Sequence, residues 1–477
     1  MIRLLKNELF KIFHKKGVYI IFVITIALTG LIVMLNNIDL VSKMDDASVQ
    51  YARQSVEEYE AGGVEFDDFY VEQKTQLLTY DLKKEVPAAN SYESPEYYYL
   101  TSVVGGLSRS YYNYKYVAKD ETTAAAVKVE LDKSIETFKN FDWKKVIQDD
   151  IDEIYKQEKE CKEYKGTNCL SDYDKERIKV LNYRLDNNVP YSFNYASEEL
   201  NDYLTYFNDY QDQEKDESKI TKHDELYDKK DTEGKLYKLQ YKIDNKLIRN
   251  NDNMLSAQEV FFDAMGNISI FIIIAIVLVS SAVVADEFNK GTIKQLLVRP
   301  YSRTKILFSK LIAVCITVML FVVLVAIGQT VLSGIINGTF NTLLDPYVMY
   351  NYNAHEVLAL NNIVAGLLHY ACVIPEILIL ILITFFVSVL LTNNGISTAC
   401  GIVTYASAGI FELYLTAKKF ISYIPLVNWD FTKYLFGGIS ECKYLYLTKS
   451  LVISLVTIFV LTVLTLVIFK RKDIKNQ

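Results

Sequence analysis

Long, almost uniformly apolar runs alternate with polar stretches along this chain. A helix that crosses a bilayer needs roughly 20 apolar residues. Six runs meet or approach that length: 17–36, 267–285, 306–331, 369–392, 395–415 and 450–469. The fifth is the weakest, because Gly395, Ser397, Ala399, Gly401, Ala406, Ala408 and Gly409 dilute it with small residues. Such residues suit close helix packing, either within the chain or at a dimer seam. The pattern predicts an all-α polytopic membrane protein with six transmembrane helices. A large polar block, residues 37–262, separates the first run from the other five, which fall in 263–477.

Residues 1–16 precede the first run. Ile2, Leu5, Leu9, Ile12 and Phe13 recur there at helical spacing, with Arg3, Lys6, Asn7 and Lys11 opposite. That predicts an amphipathic helix in the headgroup layer of the bilayer. The block 37–262 lacks the alternation of strands and reads as several helices with Tyr, Leu, Ile and Val at three- and four-residue steps. One long helical stretch is expected to break near Phe141–Asp142. The charge run 211–235 is expected to be a solvated loop or a frayed helix.

Charge sharpens this division. Residues 1–36 and 263–477 hold 20 Lys+Arg against 11 Asp+Glu, whereas 37–262 hold 31 against 47. The chain's pI of about 5.4 therefore describes neither part, and net charge gives no reason to expect nucleic acid. Lysines and arginines flank the runs in three clusters: Arg3 to Lys16, Lys290 to Lys305, and Lys470 to Lys475. With six spans all three fall on one side. By the positive-inside rule this predicts a multi-pass protein of the cell membrane with both termini cytoplasmic and 37–262 extracellular. The first run is read as an uncleaved anchor, since no small-residue cleavage site follows it.

Little in the sequence suggests catalysis. There is no G-x-x-x-x-G-K-[ST], so ATP is not bound in the P-loop manner. G-x-S-x-G, H-E-x-x-H and C-x-x-C are also absent, the chain has 4 His, and no enzyme, metal or cofactor is expected. Cys161 and Cys169 enclose a Lys-Gly-Thr-Asn turn in the outer block. They are read as a disulfide clamping a helical hairpin, with two free thiols as the alternative. In the fourth run Glu376 follows Pro375, about 16 residues (roughly 24 Å) from the cytoplasmic end. The pair marks either a kinked or re-entrant pathway element or a span that begins there, with its carboxylate among headgroups.

Between the second and third runs lies "ADEFNKGTIKQLLVRPYSRTKILFSKL". Asp286 or Asn289, or Thr292 one turn later, offers an N-cap. Ile293, Leu296 and Leu297 then share one helical face, while Lys294 and Gln295 point elsewhere. Pro300 ends the helix. The result is a stiff two-turn rod with an apolar stripe, suited to seat in the groove of another protein and pass motion to two spans. Its plainer alternative is an interfacial helix lying on lipid.

This organisation resembles the permease subunits of ABC exporters of the second type. The resemblance rests on the amphipathic helix before the first span, the six spans, and the segment 286–304. It implies that Asp286, Glu287, Gly291, Thr292, Ile293, Leu296, Leu297, Arg299 and Pro300 form a coupling site for a separate cytoplasmic ABC ATPase. It further implies a second permease, identical or paralogous, and an exported amphipathic substrate such as an antimicrobial peptide, a lipid or a drug. The outer block departs from the family's short loop and is similar to the large extracellular insertion of a Gram-positive subset. The rival expectation is a membrane-anchored extracellular binding or scaffold protein without transport, which has no need of the stiff segment.

Overall fold

The computed structural model describes residues 1–36, 46–62, 65–165, 169–215, 222–250, 255–262, 269–289, 291–292, 301–413 and 419–472. The described chain forms two compact units. One comprises Met1–Leu35, Tyr210–Lys238 and Met254–Gln477; the other comprises Asn36–Asp209 and Leu239–Asn253. Residues 210–238, part of the polar block in the sequence, thus belong to the unit that holds the apolar helices.

In that unit we label α1 (Ile2–Phe13), α2 (Lys16–Asn36), α3 (Ala257–Phe262), α4 (Ser269–Asn289), α5 (Arg303–Asn337), α6 (Asn362–Leu391), α7 (Asn394–Leu413) and α8 (Leu447–Arg471). Among the described residues five helices are long and apolar enough to cross a membrane: Lys16–Leu35, Ile270–Asn289, Arg303–Asn337, Asn362–Leu391 and Leu447–Arg471. The run predicted over 395–415 does form a helix, α7, which is not among those five. Ser302 caps α5, its side chain accepting from the Lys305 N–H, and Gly338 ends it in the left-handed region. Asn361 caps α6, whose Pro375 lies inside an unbroken helix.

Ile276, Val277, Val314, Val318, Leu380, Phe385 and Val389 form the centre of the bundle. Other faces of the same helices are bare: Phe459 is 69% exposed, and Leu455, Val452, Val23 and Ile24 are exposed with it. Contiguous apolar faces of this extent belong in lipid, not water.

Polar side chains stitch the helices together. Ser281 Oγ lies 2.6 Å from Asn394 Oδ1 and 2.8 Å from Thr398 Oγ1. Ser388 Oγ donates to the Ser281 carbonyl and accepts from the Ala285 N–H. At one end of the bundle, Asn337 Nδ2 donates to the Leu255 carbonyl, and Gln258 Nε2 reaches Asn362 Oδ1 at 2.8 Å. Residues 421–437 fold back there onto α8 through Asn428, which donates to the Ser422 and Ile424 carbonyls and accepts from Ser450 Oγ. These groups satisfy irregular backbone that a bilayer would leave unpaired.

The described chain is mostly helical, as the sequence predicts, with one short addition. An antiparallel hairpin, β1 (Tyr347–Asn351) and β2 (Glu356–Leu360), lies between α5 and α6, pairing Tyr347 with Leu360 and Asn351 with Glu356. "YVMYN" is aromatic and β-branched, whereas "EVLAL" has one β-branched residue, Val357, and the two are joined by a turn whose His355 adopts φ 53°. Both strands are too short to register as a fold signal, and the second has little strand propensity of its own. The hairpin is tied within its own unit: Tyr350 donates its hydroxyl to Glu233 at 2.6 Å, and the Tyr352 N–H donates to the Phe436 carbonyl at 2.9 Å.

The second unit is helical. The break predicted near Phe141–Asp142 occurs, helices Glu121–Lys139 and Trp143–Lys165 being separated there. Asp142 Oδ1 accepts the Lys144 N–H at 3.0 Å, which starts the second helix. The charge run 211–235 belongs instead to the unit of the apolar helices, and most of it is helical, in Tyr195–Lys215 and His223–Asp244. Leu100, Leu131 and Phe138 form one core, and Ile147, Ile151 and Leu181 another. Cys161 and Cys169 are joined by a disulfide with Cα atoms 6.0 Å apart. Arg184 is fully buried with neutral partners: the Pro190 and Ser197 carbonyls and Asn201 Oδ1 accept from it, and Tyr191 stacks beneath it.

Candidate coupling site

The end of the bundle opposite the hairpin collects α1, the end of α4 and the start of α5. Glu8 lies on the buried face of α1 with Leu4 and Ile12. Leu5 and Leu9 are half-buried against the same core, while Ile2 is 83% exposed. The face that α1 buries is thus rotated from the apolar stripe expected of it, and it packs on the bundle. A carboxylate at the centre of that face needs a partner, because an isolated buried charge is expensive.

The partner is Lys310, two turns into α5 and entirely out of contact with solvent. Its Nζ lies 2.7 Å from Glu8 Oε2 and 2.7 Å from Glu287 Oε2. Lys11 closes the cluster at 2.8 Å from Glu287 Oε1 and 3.1 Å from Glu8 Oε1. Lys15 pairs with Asp286 at 2.7 Å. Burial alone would pull the Lys11 ammonium below its ordinary value, but Glu287 and Glu8 hold it above. Nearby, Arg303 Nη1 donates to the Lys470 and Lys472 carbonyls, and Lys472 Nζ donates to the Val389 and Leu390 carbonyls. α1 is thus tied to α4 and α5, while the ends of α5, α6 and α8 are tied to one another.

The sequence-predicted site residues divide. Asp286 and Glu287 are helical residues of α4, so Asp286 and Asn289 are not caps of the following helix. Asp286 and Glu287 are salt-bridge partners of α1 instead, and the helix runs on to Asn289 before Gly291 turns it at φ 67°. Thr292 Oγ1 donates to the Glu287 carbonyl at 3.4 Å. Ile293, Leu296, Leu297, Arg299 and Pro300 lie outside the described residues. Glu376 is half-buried in mid-helix, distant in sequence from this cluster. Sequence reasoning missed Glu8 and Lys310. The signal was available: one acid in a basic leading helix, and one lysine inside an apolar run, each an ionisable residue that demands a partner.

Among the described residues no group of three or more His, Cys, Asp or Glu is placed to hold a metal ion.

Fold and site together define a multi-pass helical membrane protein whose leading helix is ion-paired to the roots of the segment between its second and third apolar runs. Residues 234–475 match the family described as "Protein of unknown function (DUF2705)", and the chain belongs to that family. It is also similar to the "Uncharacterized protein YhcI" of Bacillus subtilis (strain 168), with 29% identity over 202 residues. That similarity spans 42% of this chain and 64% of the relative's length. No solved structure matches the chain.

Proposed function

We propose that this protein is the membrane subunit of an ATP-driven exporter, powered by a separate cytoplasmic ATPase that engages residues 286–304. The carrying observation is Lys310, held between Glu8 of α1 and Glu287 of α4 without solvent contact. A push on the connecting segment would load α4 and α5 at their roots, and the buried ion pairs would pass that load to α1 as one body. A simple anchor has no use for such a junction. In this reading α7 is the sixth span, both termini are cytoplasmic, and most of the polar block is extracellular. Two permeases line one path for an amphipathic substrate, with a peptide as the first candidate class and a lipid or drug as the second.

The test is co-purification of the chain with candidate ABC ATPases from its own host, before and after Leu296→Asp with Leu297→Asp. Loss of the ATPase, with the membrane chain still folded, supports the reading. Undiminished ATPase binding by the double variant overturns it.

A further inference from the structure

At the hairpin end of the bundle the chain folds back before it enters α8. The first turns of α8 leave Leu447, Leu451, Val452 and Leu455 exposed, a continuous apolar face. Aromatic rings gather where that face begins. Tyr446 caps α8 and is exposed, as are Phe420 and Tyr423. The Tyr423 N–H donates to the Phe420 carbonyl at 3.1 Å, and the Tyr423 ring lies 3.9 Å from Lys449 Nζ, in the first turn of α8. Rings at the end of an apolar span sit among lipid headgroups.

Lys449 is held firmly there. Its ammonium donates to Ser422 Oγ and to the Tyr444 carbonyl, the latter at 3.1 Å. These partners and the Tyr423 ring are all uncharged, so they orient the ammonium without neutralising it. Lys419 stands close enough for the two ammonium groups to repel each other. Lys443 is exposed beside them in sequence, its Nζ 5.1 Å from the centre of the Tyr444 ring. Among the described residues no carboxylate pairs with Lys419, Lys443 or Lys449. Glu441 acts on Tyr227 of the helix His223–Asp244, and Asp430 accepts from the Thr432 N–H and hydroxyl. Unpaired like charges at the edge of an apolar face are relieved by an anion.

We propose that Lys419, Lys443 and Lys449 bind the phosphate headgroup of an anionic phospholipid, whose acyl chains lie along the exposed face of α8. Lysine recognises phosphate as a point charge, and anionic lipid attracts lysines at the membrane surface. The apolar face selects a lipid over a soluble phosphate, which would leave Leu447, Leu451, Val452 and Leu455 unused. The site rests on α8 crossing the membrane and goes beyond the exporter reading.

Bromolipid quenching on the full chain in vesicles tests the proposal. Tyr446→Trp places a reporter on the patch, its signal read as the difference from the unaltered chain in the same membrane. The vesicles are phosphatidylcholine with a minor fraction of brominated phosphatidylglycerol or of brominated phosphatidylcholine. The brominated acidic lipid should associate about fivefold or more tightly than its neutral counterpart. Lys419→Gln with Lys443→Gln, both exposed positions, should remove most of that preference and leave quenching by brominated phosphatidylcholine unchanged. Equal association of the two lipids with all three lysines present overturns the proposal without recourse to a lysine variant. So does a preference that survives the double lysine substitution unchanged. Loss of the preference on adding glycerol 3-phosphate at constant ionic strength also overturns it, because the site would then take a soluble phosphate ester. None of these measurements involves an ATPase, so their failure is distinct from failure of coupling.

Discussion

Lys310 Nζ lies 2.7 Å from Glu287 Oε2 although the two residues stand on different helices, and the lysine has no solvent contact. Between them runs the segment that the sequence marks as basic and amphipathic. The same ammonium holds Glu8 at an equal distance. Removing one member of a buried pair leaves the other charged and unpaired, which costs about 3–5 kcal/mol. Here Lys310→Met would leave two carboxylates facing one partly exposed lysine, Lys11. The variant should unfold at a clearly lower temperature in detergent. Adding Glu8→Gln and Glu287→Gln should recover most of the loss, since neutral packing can replace a buried ion network. An unchanged melting temperature for Lys310→Met would remove the cluster from any structural role.

The neighbouring pair Lys15–Asp286 is as short, at 2.7 Å, but its side chains are 36% and 24% exposed. Solvent screens such a pair and side-chain entropy opposes it, so its contribution is about 0–1 kcal/mol. Lys15→Ala should therefore shift stability far less than Lys310→Met, and high salt should erase the difference from the unaltered chain. Distance alone would rank the two pairs equally; burial separates them.

Packing of α7 offers a contrast within one helix. A Cβ on Gly401 would fall 2.6 Å from Thr384 Oγ1 and 2.6 Å from Val277 Cγ1, on α6 and α4. Gly409 has nothing within 4 Å. Gly401→Val should destabilise the folded chain, with overpacking costing about 1–3 kcal/mol. Gly409→Val should leave the isolated chain's melting unchanged. If Gly409→Val instead alters oligomeric state in crosslinking, that open face is a seam between copies.

The sequence carried the apolar helices because their signal is long and local: uniform hydropathy over twenty or more residues survives any tertiary detail. It also carried the break at Phe141–Asp142, where Asp142 starts a helix from its own side chain. The hairpin at 347–360 stayed hidden because five-residue strands bring no period long enough to read. The ion cluster stayed hidden for another reason. Glu8, Glu287 and Lys310 meet only when three helix ends converge, and flank lysines such as Lys11 and Lys15 read equally well as topology signals. Asp286 illustrates the limit: a residue suited to cap a helix was available, but the preceding helix continued through it.

In the helical unit of 36–209 and 239–253, Tyr203 is buried and donates its hydroxyl to Glu176 Oε2 at 2.6 Å. Burial, then the adjacent carboxylate, pushes the phenol well above its ordinary value near 10. Above that ordinary value the unfolded chain loses the proton while the folded chain keeps it. The unfolded state then binds fewer protons, so stability falls as pH rises. The contribution is complete below about pH 10 and declines above it by up to about 1.4 kcal/mol per pH unit. Tyr70 and Tyr191 are raised in the same direction, so the unit as a whole should be alkali-labile. Tyr203→Phe removes one titrating group and should flatten the decline while costing stability at neutral pH through the lost hydrogen bond, about 1.5–3 kcal/mol for a charged acceptor. Urea unfolding from pH 8 to 11, followed by Trp143 fluorescence in a Trp429→Phe background, measures both effects. Parallel pH curves with and without the Tyr203→Phe substitution would show that the buried phenol is not the group that titrates.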